Sequence, residues 1–302
     1  MRPIGGYLEL ESGISTLYHE GAYVNSARNA LRLIVRTYGI RLLHVPAYTC
    51  TTVFDALVAE NCEVLQYELD ANLMPVESFD SSDFIIYNNY FGVCGKKVAE
   101  LASQYPNLIV DNAQAFYAMP CGRAAIYSPR KFFGLPDGGI AVGEGLSIEG
   151  LPMDISYDRV SHLLKRIDRG PEAAYADFGE NSKKLAEAPV AQMSKLTRTI
   201  MSALDYERVA ERRKANFAYL HSALKSDFPF AMSEDDVPLV YPYVTEDMTL
   251  RARLIANKIF AAKYWPNLSG TANELADRII AIPLDQRYGL EDMKRIVEVI
   301  NG

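Results

Sequence analysis

Short apolar runs at 42–45, 64–69, 84–87, 108–110 and 124–127 alternate with stretches, 27–38 and 97–104, whose apolar residues recur at helical spacing. Such alternation predicts an α/β sheet with largely parallel strands, because a parallel pair needs a crossover and a helix usually supplies it. From Ala191 the pattern turns helical. The segment 206–225 carries many charges, with Val209, Phe217, Leu220 and Leu224 at roughly helical spacing, and predicts a long connecting helix. A strand over 239–244, a helix over 250–260, a strand over 279–283 and a closing helix over 290–300 follow. These predict a small C-terminal α/β domain beginning near Asp205, so the expected division is 1–204 and 205–302. No internal repeat or low-complexity segment interrupts the pattern.

Composition narrows the partners. The 302 residues can bury a substantial core, and 31 basic against 38 acidic residues leave a net charge of −7, which disfavours nucleic acid or an anionic membrane as the main ligand. A small-molecule site is the better expectation. Cys50, Cys62, Cys94 and Cys121 lack paired spacing and fit a reducing compartment. The start, residues 1–9, is broken by glycine and acid before a secretory apolar core forms, and no apolar stretch is long enough to span a bilayer. A soluble, cytoplasmic protein is expected, in which the glycosylation pattern Asn267-Leu268-Ser269 has no meaning. His19, His44, His162 and His221 stand at no metal-ligand spacing. Neither Gly92-Val93-Cys94-Gly95 nor the glycines at 134–139 complete a nucleotide-binding loop. The 19 tyrosines and 12 phenylalanines read as core and subunit contacts, and the charges at 207–214 as the wet face of the connecting helix.

The candidate chemistry centres on Lys131, in Ser128-Pro129-Arg130-Lys131-Phe132-Phe133-Gly134, and on Asp111, which ends the apolar run before Asn112-Ala113-Gln114. Ligands of parallel sheets gather at the carboxyl ends of the strands, so these two can meet in one cleft although 20 positions separate them. A crowded amine loses its proton more readily than a solvated one and can form an imine with an aldehyde. An acid beside a pyridine nitrogen favours its protonated form. Together they are the minimum equipment for pyridoxal phosphate. Gln114 is placed to bond the ring's phenolic oxygen, and Ser26, as N-cap of the helix from Ala27, to open a phosphate cradle. Each residue alone also reads blandly, as surface charge, a turn or a cap.

Asp111-Asn112-Ala113-Gln114, followed by Lys131 seven residues before Gly138-Gly139, resembles the core of the DegT/DnrJ-type (StrS-like) sugar aminotransferases, fold-type I pyridoxal phosphate enzymes. The resemblance extends through Asn25-Ser26-Ala27-Arg28-Asn29-Ala30-Leu31, Val45-Pro46-Ala47-Tyr48-Thr49, Tyr90-Phe91-Gly92, Met193-Ser194 and Ile282-Pro283-Leu284. It implies a large domain with a mixed, mostly parallel sheet and a homodimer with shared sites. It also implies a ping-pong transfer of an amino group from glutamate or glutamine to a keto group, typically of a nucleotide-linked deoxysugar. Lys131 would serve as imine partner and as base, and lysine rather than histidine there argues for amino transfer over dehydration.

The chain departs from the family at several positions. Arg28 replaces a threonine of the phosphate cradle, and Ile126 a serine five residues before the lysine. Val190 and Gln192 replace an asparagine and an arginine, which removes a phosphate contact from the partner subunit. Cys50 replaces the aromatic that stacks on the ring. Arg28 can compensate through bidentate contacts with phosphate, and Tyr48 or Ser128 can take over others. The chain is also short for the family. Two alternatives therefore stay open: a smaller non-sugar keto substrate, and a degenerate protein that binds cofactor or sugar nucleotide without turnover.

Overall fold

The computed structural model describes residues 17–265, 268 and 270–302, so the readings of residues 1–9 and of the pattern at Asn267 and Ser269 lie outside the described residues. Seven strands, β1 (Ala22–Val24), β2 (Leu42–Pro46), β3 (Glu63–Tyr67), β4 (Ile85–Asn88), β5 (Leu108–Asn112), β6 (Ala124–Tyr127) and β7 (Gly139–Gly143), form one sheet in the order β1-β7-β6-β5-β4-β2-β3. The strands β2 to β6 are mutually parallel. At one edge β7 runs antiparallel to β6, and β1 antiparallel to β7. The expected mixed, mostly parallel sheet is present.

Helices α1 (Ala27–Tyr38) and α2 (Thr51–Val58) cover one face, and α3 (Gly95–Gln104) belongs to the crossover from β4 to β5. The Ser26 hydroxyl caps α1 by accepting from the Asn29 amide, and Gly39 ends it in the left-handed region. Along α1 the buried Ala30, Leu31, Ile34 and Val35 pack with Leu43, Val45, Ile86, Ile109 and Ile126 of the sheet. Strand alternation sends Tyr87, Leu108, Val110 and Tyr127 to the opposite face. Gly139 lies against the start of α1, where an added Cβ would stand 2.1 Å from the carbonyl carbon of Ser26.

Helices α4 (Ser161–Arg169), α5 (Pro171–Glu187), α6 (Lys195–Ser202) and α7 (Tyr206–Ala223) follow the sheet. The chain then forms β8 (Val240–Val244), α8 (Leu250–Ala256), α9 (Gly270–Arg278), β9 (Ile279–Pro283) and α10 (Leu290–Asn301). The strands β8 and β9 make an antiparallel pair. One buried cluster runs without interruption from Tyr87 and Phe116 through Phe217 and Leu239 to Ile282 and Met293, so the two sheets share a core. No helix among the described residues is long and apolar enough to cross a membrane.

The helical region expected from Ala191 starts earlier, at Ser161. Ala191 itself lies in an extended segment beside β1, where Asn25 N–H donates to its carbonyl and Met193 N–H to that of Tyr23. Leu163, Leu164 and Ile167 do mark α4 at helical spacing, whereas α5 carries little amphipathic pattern; Leu164, Ile167 and Tyr175 are 58%, 81% and 75% exposed. The helix expected over 250–260 stops at Ala256, since Lys258 takes a left-handed φ of 59°. Changing Gly139 to Ala should lower the urea unfolding free energy by about 2 kcal/mol or more, because backbone atoms rather than a flexible side chain block the new methyl.

Candidate active site

Strand register builds the centre. Asp111 on β5 is level with Asn88 on β4 and with Ile126 on β6, and it shares the face of Ile109 that α1 and α2 cover. Its Oδ1 accepts from the Ala113 amide at 2.8 Å. Burial pushes the Asp111 carboxyl above the usual carboxylate range, while the charge of Lys131 and the Ala113 amide pull it back. The charge of Lys131 thus reaches the half-buried Asp111, while Lys131 itself is exposed.

Lys131 closes a 3-10 turn, Pro129–Lys131, directly after β6. Its amide donates to the Ser128 carbonyl, and its Nζ lies 6.0 Å from the centroid of the Tyr264 ring. The turn is fastened from the C-terminal part. Gln286 Nε2 donates to the Phe132 carbonyl at 2.7 Å, and Gln286 Oε1 accepts from Arg213 Nε at 3.0 Å. The Arg213 guanidinium sits 4.5 Å from the Phe132 ring centroid and also donates to the carbonyls of Pro238 and Leu239. Burial lowers its pKa to about 10. Beyond the turn, Asp137 is fully buried and accepts from the amide and hydroxyl of Ser194 and from the Thr197 hydroxyl. Arg213, Gln286 and Asp137 escape a sequence reading because their partners are distant in the chain.

Gln114 is buried, and its Oε1 accepts from the amide of Phe91 at 2.6 Å. Phe91 holds a left-handed φ of 56°, so this bond stabilises a strained turn. Gly92 follows at φ 70°, close enough to the Gln114 carbonyl that a Cβ would be 2.7 Å from it. The Gln114 Nε2 has no hydrogen-bond partner among the described residues. Ser26 and Ala27 start α1 beside Gly138, whose amide donates to the Asn25 carbonyl. Arg28 does not point to solvent: its side chain is 16% exposed, one nitrogen lies 3.6 Å from Asp55, and its Nε has no partner among the described residues.

Tyr48 is buried, its ring stacked on Tyr90 and its hydroxyl donating to the Tyr264 carbonyl at 2.6 Å. Cys50 is the N-cap residue of α2 without a side-chain cap, and its sulfur accepts from the Thr52 hydroxyl. Ser128 is buried at the start of the Lys131 turn and its hydroxyl caps nothing there. Ile126 and Val190 are core residues. Gln192 spends its side-chain amide on the carbonyls of Ile148 and Leu151.

Lys131 also stands on the wall of a cavity of about 1170 Å³ between its own turn, α4, α5 and the C-terminal part, whereas Asp111, Gln114, Ser26 and Tyr48 lie off that wall. The lining holds nine lysines and arginines, among them Arg166, Arg251, Arg287 and Arg295, against the acids Glu172, Asp285 and Asp292. Glu172 on α5 reaches Lys258 at 2.8 Å, an exposed ion pair that bridges the cavity's two sides.

No protein-family model and no curated protein matches the chain. Solved structures do. A candidate sugar aminotransferase, Spr1654 from Streptococcus pneumoniae in its PMP form, superposes with a TM-score of 0.65 at 15% identity, over 92% of this chain and 86% of that one. The sugar aminotransferase CalS13 from Micromonospora echinospora gives 0.64 at 14% identity, over 92% and 86%. A DegT DnrJ EryC1 StrS aminotransferase from Brucella abortus gives 0.60 at 16% identity, over 94% and 86%. At such identities the likeness establishes the fold, and the chain shares the architecture of these proteins.

The raised Asp111 pKa has a signed consequence for ligand-free protein. As pH rises, the unfolded state releases this proton first while the folded state still holds it, so stability falls from the ordinary carboxylate range up to the folded value. Asp111→Asn lacks this loss and can keep the bond from Ala113. Its urea midpoint should match wild type near about pH 3 and exceed it near about pH 8, where only the wild-type group is ionised.

Proposed function

We propose that the protein is a pyridoxal phosphate-dependent aminotransferase, with Lys131 as the residue that carries the cofactor and acts as base. The observation that carries this reading is the reach of the Lys131 charge, exposed in the turn after β6, to the half-buried Asp111 carboxyl at the end of the adjacent parallel strand β5. The residues present fit the group. Burial disfavours the Asp111 charge until a cation, such as a protonated pyridine nitrogen, lies against it. The unpartnered Gln114 Nε2 is a donor for a ring oxygen, and the unpartnered Arg28 Nε, with Ser26 and Ala27 at the start of α1, suits a phosphate. When bound, pyridoxal phosphate supplies an electron sink that makes the carbon bearing the amino group acidic. Lys131 Nζ would then be the group that moves the proton at that carbon, and Asp111 would hold the ring's positive charge. The turn's fastening through Gln286 and Arg213 keeps the amine oriented.

For the acceptor we propose a keto sugar linked to a nucleotide, with glutamate or glutamine as donor. The cationic cavity beside Lys131, in a chain of net charge −7, supports a diphosphate-bearing ligand. That two of the structures of like fold are of sugar aminotransferases, one of them a candidate, supports a sugar as the acceptor. A homodimer is proposed from the exposed apolar side chains of the 153–178 region, among them Ile155, Tyr157, Ile167 and Tyr175, the last three 75% to 81% exposed. The large part at 1–204 and the small part at 205–302 are proposed as its domains.

Purified protein given pyridoxal phosphate should turn yellow, and borohydride should fix the cofactor to wild type but not to Lys131→Ala. Glutamate should then bleach the visible band. A colourless protein would sink the reading, and a yellow one that no amino donor bleaches would leave cofactor binding without transfer. Sedimentation at micromolar concentration should give a dimer; a monomer would contradict the shared-site arrangement.

A further inference from the structure

We infer that Tyr264 packs against the face of the cofactor's ring and sets its orientation over Lys131; the inference rests on the cofactor reading above. The Tyr264 ring centroid is 6.0 Å from Lys131 Nζ. The hydroxyl of Tyr48, just past β2, pins its carbonyl. Phe91 and Trp265 flank the ring at centroid distances of 6.0 and 5.9 Å. Cys50 and Arg213 lie near enough to bias its ionisation, which burial opposes first, so the phenol stays neutral beside the lysine. One aromatic ring from the C-terminal part thus stands among the lysine, the first residue of the α2 entry and the strained Phe91 turn.

A flat, electron-poor heterocycle fixed at Lys131 needs a surface to lie on, and an aromatic face is the best complement. The entry to α2 presents Cys50, whose thiol offers little area and already accepts from Thr52. Tyr48 is 1% exposed and committed to Tyr90, from which its ring centroid is 5.4 Å at an interplanar angle of 14°. Phe91 is wholly enclosed. Tyr264 keeps part of its surface open. The ring-packing group therefore comes from the far side of the chain, and cofactor affinity is tied to the docking of the C-terminal part on the large sheet.

The test is titration of full-length protein with pyridoxal phosphate, read by dissociation constant and by the visible circular dichroism of the bound cofactor. Tyr264→Leu, which keeps bulk but no aromatic face, should weaken binding about tenfold, equivalent to about 1.4 kcal/mol, and reshape the dichroic band. Tyr264→Phe should retain wild-type affinity and band. Tyr48→Phe, which frees the Tyr264 carbonyl, should weaken binding about threefold while leaving the ring present, and it decides the matter should Tyr264→Leu not fold. Wild-type affinity and an unchanged band in Tyr264→Leu, or unchanged affinity in Tyr48→Phe where Tyr264→Leu is unfolded, overturn the inference. If wild type binds the cofactor and Lys131→Ala loses the bond while Tyr264→Leu is unaltered, this inference alone falls. If wild type binds none, both fall together.

Discussion

The pull of the Lys131 charge on the half-buried Asp111 carboxyl is the interaction on which the proposed site depends. A half-buried acid is costly in its charged form, and a cation within reach relieves part of that cost. The relief works only while both groups stay in place. For Asp111 the parallel register of β4, β5 and β6 does the placing, with Asn88 and Ile126 level on either side. For Lys131 the placing is indirect, through a short turn held by Gln286 and Arg213.

Much of this was legible in the chain. The runs at 108–110 and 124–127 became β5 and β6, two neighbouring strands at one end of the parallel set, and α1 spans the predicted 27–38. Asp111 and Lys131 could be paired on paper because strands of a parallel sheet end on the same side. Short β1 and β7 were missed because a glycine-flanked run of five or fewer residues carries little periodicity. Helix α5 was missed because its apolar residues follow no strong helical stripe, while the spacing of Leu163, Leu164 and Ile167 in α4 was legible and passed over.

Within the site, local motifs were readable and long-range ones were not. Ser26 as an N-cap follows from its place before an amphipathic helix, and the structure has that cap. That the Gln114 oxygen is taken by the Phe91 amide could not be read, because it depends on the left-handed turn at 90–92. Tyr264 and Gln286 lie more than 130 residues after Lys131, and no spacing in the sequence connects them to it. The cationic lining of the cavity is likewise a three-dimensional feature, since the chain as a whole is acidic.

The hydrogen bond from Gln286 to the Phe132 carbonyl makes the N-terminal half dependent on residues it does not contain. Every group first singled out as chemical, from Ser26 to Lys131, lies in less than half of the chain, yet a fragment ending ahead of α7 would hold them all and lack the strut that aims the amine. Such a piece would be an inventory without an alignment, so the smallest working unit is the two sheets together with the shared core that joins them.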